Sequence, residues 1–158
     1  MSLKRASRLD KEDHRKLVLW ALHCAGHVLR YFEEKHPGDV RPRRAIKAGR
    51  AWVRGEMTVP QARAAAFAAH AAARDAKDPA ARAAARAAGQ AVATAHVPGH
   101  ARHAAAYAVT AAVAAADPAE AAVGATEHTW QYQRLPKHLR SVVELDRKGR
   151  RGESGRGA

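Results

Sequence analysis

The chain has 158 residues, with 28 Lys and Arg against 15 Asp and Glu, a formal net charge of +13 and only 5% aromatic residues. This length suits one domain, and an alanine content of about a quarter points to helices, because alanine is the best intrinsic helix former. The single cysteine, Cys24, excludes an intramolecular disulfide and a cysteine-based zinc site, and no uninterrupted apolar run has membrane length.

The expected compartment is therefore the reducing cytoplasm, with no membrane partner and no cofactor. "MSLKRASRLDKEDHRK" has no apolar run after its basic residues, so no secretory signal is expected. The charge is uneven. Residues 1–9 contain Lys4, Arg5 and Arg8 and are expected to be a flexible basic N-terminus. "RKGRRGESGRGA", residues 147–158, is expected to be a disordered basic tail. Between them, 10–146 reads as one helical domain.

The first helix is predicted to start at a cap on Asp10 or Asp13 and to run to about His36, before Pro37 and Gly38. Leu17, Trp20, Ala21, Cys24, Val28 and Phe32 form its apolar stripe, which Leu22 and Leu29 widen, so a central place is expected for it. The second helix is expected from Pro42 to Gly55, burying Ile46, Gly49, Trp52 and Val53. Its other face carries Arg43, Lys47, Arg50 and Arg54 at helical spacing, with Arg41 and Arg44 beside them. Such a stripe suits an acidic protein surface or a phosphate backbone; it also suits a solvated face paired to Glu33, Glu34 or Asp39.

Pro60, Pro79, Pro98 and Pro118 follow at spacings of 19, 19 and 20 residues. Proline is favoured at the first position of a helix, and Asp78 and Asp117 precede two of them as N-caps should. Four helices are therefore predicted, at about 60–76, 79–96, 99–116 and 118–134. Phe67 and His70, on the third helix of the chain, are expected to be partly buried. Pro136 then leads into a short helix that turns Leu139, Val142 and Val143 inward. No segment alternates like a strand. The fold class is all-α: a single-domain bundle of about seven mostly antiparallel helices, closely packed through alanine.

Histidines are the remaining chemistry. His96, His100 and His103 have helical spacing, but Pro98 and Gly99 interrupt them, so His96 closes one helix while the other two open the next, with Tyr107 continuing their stripe. Zinc catalysis needs a further ligand and a carboxylate base, and residues 79–116 contain no Asp or Glu. These three are weak metal candidates. A hydrogen bond between His96 and His100 across the junction is the plainer expectation, and the helix start near His100 could hold an anion. The serines lie mostly near the ends, Cys24 reads as buried and there is no glycine-rich phosphate loop, so an enzyme is not expected.

In order along the chain stand "HRKLVLWALHCAGHVL", "DVRPRRAIKAGRAWVRGE", "AAFAAHAAARDA", "AAARAAGQAVATAHVPGHARHAAAYA" and "RLPKHLR". Together these resemble the bacterial putative immunity protein family, the immunity-protein-five-like domain of polymorphic toxin systems, over about residues 14 to 140. The matching positions are Trp20, Cys24, Arg41, Pro42, Arg43, Ala45, Ile46, Trp52, Gly55, His70, Gly89, His96, His100 and Tyr107; His23 and His27 depart from the pattern.

The resemblance implies an all-helical, non-enzymatic domain that binds and neutralises a cognate protein toxin. The expected partner or anion contacts are Arg41, Arg43, Lys47, Arg50, Arg54, His70, His96, His100 and Tyr107. A basic chain would need a toxin with an acidic face. The alternatives are nucleic-acid binding through the Arg43–Arg54 face, with nonspecific binding through the basic tails, and a metal-dependent enzyme at the His96/His100 cluster. An exposed alanine-rich face could also pair two copies of the chain.

Overall fold

A computed structural model describes residues 9–143. The expected tails, 1–9 and 147–158, and the last residues of the expected domain, 144–146, lie outside the described residues except for Leu9, which packs against the core. Six α-helices are present: α1 (Lys11–Glu33), α2 (Arg41–Val53), α3 (Val59–Asp75), α4 (Pro79–Ala93), α5 (His100–Ala115) and α6 (Val123–Arg134). A 3₁₀ turn, Lys137–Leu139, leads into a further helical segment at 140–143. Among the described residues there is no strand.

Most of the starts follow local chemistry. Asp10 caps α1 by accepting from the Asp13 N–H at 2.8 Å, and Asp78 caps α4 by accepting from Ala81 at 2.9 Å. Thr58 and Gln61 form a reciprocal capping box at the start of α3. The α2 N-cap, Val40, has no side chain for the role; Asp39 instead accepts from the Arg41 N–H at 3.1 Å. Gly55 closes α2 with φ of 75°, a conformation that glycine adopts without strain.

Three boundaries lie three or more residues from the sequence reading: α1 ends at Glu33 rather than about His36, and the other two are the end of α4 and the start of α6. Helix α4 stops at Ala93, short of His96. Its end tightens into turns in which the His96 and Val97 N–H groups both bond to Ala93 O at 3.0 Å. Pro98 disfavours the helical region for the residue before it. The helix expected from 118 begins only at Val123. Asp117 does bind the chain after it, accepting from the Ala119 N–H at 2.9 Å, but residues 117–122 are all exposed and fold into turns. A cap without an apolar face to bury does not sustain a helix.

The core has two unlike halves. Helix α1 supplies the bulk through Leu17, Val18, Leu22, Val28 and Phe32, all 1% exposed or less. Helix α4 packs against α1, α2, α3 and α5, so it shares the central place expected for the first helix. Its buried surface is almost wholly alanine, with Gly89 and Val92. Each alanine removes little apolar area from water, so cohesion rests on dispersion between backbones brought close together. Gly49 marks one such approach: a Cβ there would lie 2.6 Å from Leu22 Cδ2. Helix α6 docks on α5 and is tied inward by two buried bonds. Trp20 Nε1 donates to Gln131 O and Gln131 Nε2 donates to Ala105 O, each at 2.8 Å.

The glycines of this core separate crowding from propensity. Gly49→Ala should destabilise the fold by about 1–3 kcal/mol, the usual effect of overpacking. Gly26→Ala, in the exposed middle of α1 with nothing within 4 Å, should stabilise it by about 0.5–1 kcal/mol. Urea unfolding of both variants beside the parent checks the opposite signs.

Candidate functional site

Helix α2 and the facing side of α1 form a shallow groove of about 220 Å³. Arg43, Lys47 and Arg50 line it from α2, and Arg30 and Glu33 from α1. Ile46 and Leu29 seat the two helices against the core, which leaves the cationic positions of α2 exposed. The predicted stripe thus exists, but half of it is neutralised. Arg41 pairs with Asp39 at 2.7 Å and with Asp75 at 2.9 Å. Arg43 grips the Glu33 carboxylate with Nε at 2.6 Å and with Nη2. Arg54 pairs with Glu56 at 2.9 Å.

These partners have shifted titrations of the expected sign. The Arg43 guanidinium holds Glu33 below the usual carboxylate range, and Arg41 does the same for Asp39. Lys47 and Arg50 make no ion pair among the described residues and stand exposed at the mouth of the groove. Burial, and then the nearby Arg50 and Arg134, pushes His23 below its ordinary value, so it adds no charge there at neutral pH.

The histidines are distributed differently from the expectation. His96 is exposed in the turn after α4, and His100 begins α5 half-buried. Neither makes a side-chain hydrogen bond among the described residues, so the expected bond across the junction is absent. The turn keeps its backbone groups satisfied from within, through His96 N–H to Ala93 O and His100 N–H to Val97 O, both at 3.0 Å. His103 lies one turn along from His100, with ring centroids 6.1 Å apart, and faces a different cavity. Among the described residues no three His, Cys, Asp or Glu side chains are grouped so as to hold a metal ion. Tyr107 is half-buried against the core.

His70 is the histidine with a built environment. It crosses from α3 onto Gly89 of α4, where any Cβ would lie 2.6 Å from its Cε1. Its Nδ1 and the Oε1 of neighbouring Gln90 are buried without a hydrogen-bond partner among the described residues. Burial, then Arg86, Arg74 and His100, holds His70 below its ordinary value. His100 is lowered too, by burial and then by His96. His100 is therefore an electrostatic neighbour of both His70 and His96, brought beside them by packing of α3 and α5 on α4. Phe67, expected to share the burial of His70, is 64% exposed, with Arg63 over its ring. It lies on the opposite edge of α3 from the Ala66, Ala69 and Ala73 contact.

The burial of Glu127 and its partner on α1 were not legible in the sequence. Glu127, only 6% exposed, accepts from His27 Nδ1 at 2.8 Å, while the His27 ring stacks on Trp130 with centroids 3.8 Å apart. This joins α6 to α1 beside Cys24. The thiol is fully buried, and burial, then the Glu127 charge, pushes its pKa up, which leaves it inert as a nucleophile.

The His70 environment fixes a pH dependence. A base whose folded pKa is depressed binds more protons in the unfolded chain as pH falls, so its contribution to stability is present above the unfolded value and lost below it. The melting temperature should therefore fall between about pH 7.5 and about pH 5.5, a window that brackets the ordinary histidine pKa of about 6.5. The fall should be smaller in His70→Gln. A fall of equal size in parent and variant would contradict the assignment.

A family model described as Imm-5 like putative immunity protein matches residues 7–138. No curated protein and no solved structure matches the chain significantly. The match spans the described bundle from its first helix to the 3₁₀ turn after α6, so the chain belongs to the Imm-5 like family of putative immunity proteins.

Proposed function

We propose that this protein neutralises a cognate protein toxin by binding it, without performing a reaction, and that the groove between α1 and α2 is the contact surface. Family membership supports the partner class. The observation that carries the choice of surface is the pair Lys47 and Arg50: exposed, cationic and, like Arg44 beside them, without ion-pair partners among the described residues, while Arg41, Arg43 and Arg54 are matched to carboxylates. The matched arginines hold the stripe in a fixed geometry, and the unmatched cations are left for an acidic face on the toxin. Such complementarity steers encounter and penalises wrong partners.

The absence of reaction chemistry in this reading rests on what the candidate groups are engaged in. Cys24 is buried and held protonated, and His27 is committed to Glu127 and Trp130. No helix among the described residues is long and apolar enough to cross a membrane. A cytosolic partner that meets the toxin after its entry fits both observations.

Co-expression with the toxin candidate encoded beside the gene tests the reading. The parent protein should restore growth and co-purify with the toxin. Lys47→Glu with Arg50→Glu should weaken the complex by about tenfold or more, as loss and reversal of interfacial charge pairs do, while the melting temperature stays near the parent's. Failure of the parent to protect or bind would remove the proposal; full protection by the folded double variant would move the contact to another face.

A further inference from the structure

Four helices surround α4, and the ring they form is open on one side. Helices α1, α2, α3 and α5 all pack on α4; α3 also packs on α2, α2 on α1, and α1 on α5. The opening lies between α3 and α5. Through it α4 reaches the surface along one strip, Arg82, Arg86, Gln90 and Ala93, at spacings of four, four and three residues, while the rest of the helix after Pro79 is buried. This opening goes beyond the toxin-binding reading. It shares no residue with the α1–α2 groove, nor with the cavity of about 410 Å³ between α5 and α6 that Trp20, Val109 and Leu135 wall.

Bases from three helices border the opening. On α3, His70 lies over Gly89, and exposed Arg74 follows it one turn later. The short connection 76–78 makes α3 and α4 antiparallel, so half-buried Arg86, one turn before Gly89, stands opposite Arg74. His100, at the start of α5, borders the other side. The charges report the same grouping: Arg86, Arg74 and His100 act on His70. Arg82 does not join them, because its Nε donates to Ala76 O at 3.0 Å. The carboxylates of these helices are engaged elsewhere. Between 59 and 116 the acids are Asp75, which accepts from Arg41 Nη2 at 2.9 Å, and Asp78, which caps α4. The Arg74 and Arg86 side chains make no hydrogen bond or ion pair among the described residues. The enclosed Nδ1 of His70 takes no part in contacts; the accessible groups are Arg74, Arg86 and His100. Two guanidinium forks on facing helices match a group with two negative charges and several acceptor oxygens.

We infer that the opening over α4, between α3 and α5, is a binding site for a phosphate group, with Arg74 and Arg86 as its guanidinium contacts and His100 as a further donor. His70 acts beneath them: resting on Gly89, it spaces α3 from α4 and so sets the separation of the two arginines. A single carboxylate, such as an acidic protein face offers, would satisfy one guanidinium and leave the other unmatched. A free phosphate ion and a phosphate monoester share the required chemistry and differ in whether anything extends beyond the opening.

The test titrates the full-length protein with inorganic phosphate, glycerol 2-phosphate and acetate at about pH 8, where a phosphate group carries close to two charges. Ionic strength is held constant, and binding is followed by the imidazole resonances of His70 and His100. Both phosphates should bind saturably and move those resonances, with acetate at least about tenfold weaker. Arg74→Gln and Arg86→Gln should each weaken phosphate by about tenfold. Lys35→Gln with Lys137→Gln, which removes two exposed charges outside α3, α4 and α5, should leave it unchanged. Arg74 is exposed, so its variant decides the matter even if Arg86→Gln unfolds. Tighter binding of the ester assigns the site to a larger phosphorylated molecule, and equal or weaker binding assigns it to the free ion. No saturable binding, acetate as tight as phosphate, unchanged phosphate binding in Arg74→Gln, or equal weakening by the paired lysine changes would each overturn the inference.

Discussion

Ten of the fifteen residues of α4 are buried, and eight of those ten are alanine. A helix enclosed on nearly every side, yet with almost no side chain to offer, can be packed only by bringing neighbouring backbones close. That constraint organises the molecule. Helices α1, α2, α3 and α5 all touch α4, and the bulky residues of α1 fill the volume that alanine cannot. The same closeness explains why His70 lies over Gly89, since only glycine leaves space there for an imidazole. It also explains why polar atoms at the margins of α4, among them Gln90 Oε1, are enclosed without partners among the described residues. A core of small residues concentrates its tolerance at few positions, because nothing flexible can yield.

The rigid centre leaves function to the periphery. One face carries the α1–α2 groove and the basic stripe beside it, where intramolecular carboxylates neutralise Arg41, Arg43 and Arg54 and leave Arg44, Lys47 and Arg50 exposed. Surface ion pairs contribute little to stability, about 0–1 kcal/mol each, so these pairs matter more for the geometry of the stripe than for holding the fold. Another face carries the cavity under α6, anchored by Trp20 and Gln131. The two surfaces differ in shape and lining: the first is open and cationic, the second is concave with largely apolar walls.

Much of this was legible in the chain because helix signals are local. Asp78 followed by Pro79 marks a start, and the structure has a capped helix there. Asp117 followed by Pro118 carries the same local signal and produces turns, because what separates them is whether the following residues have a face to bury. The stripe on α2 and its pairing with Glu33 and Asp39 could be read from neighbours in sequence, whereas Asp75, 34 residues from Arg41, could not. The Thr58–Gln61 capping box was visible in the sequence, and it places the start of α3 one residue before Pro60. The approach of His70 to His100, the buried Glu127 under His27, and the cavity at Trp20 each depend on how separate helices cross, which no spacing within one segment encodes.

Native-state hydrogen exchange on the full chain tests the role of α4 most directly. If α4 is the element around which the others pack, the amides of 84–91 should be the slowest in the protein. They should exchange only through global unfolding, with a denaturant dependence equal to that of the whole molecule. Amides of α4 that exchange through local openings, faster than those of α1, would contradict the account.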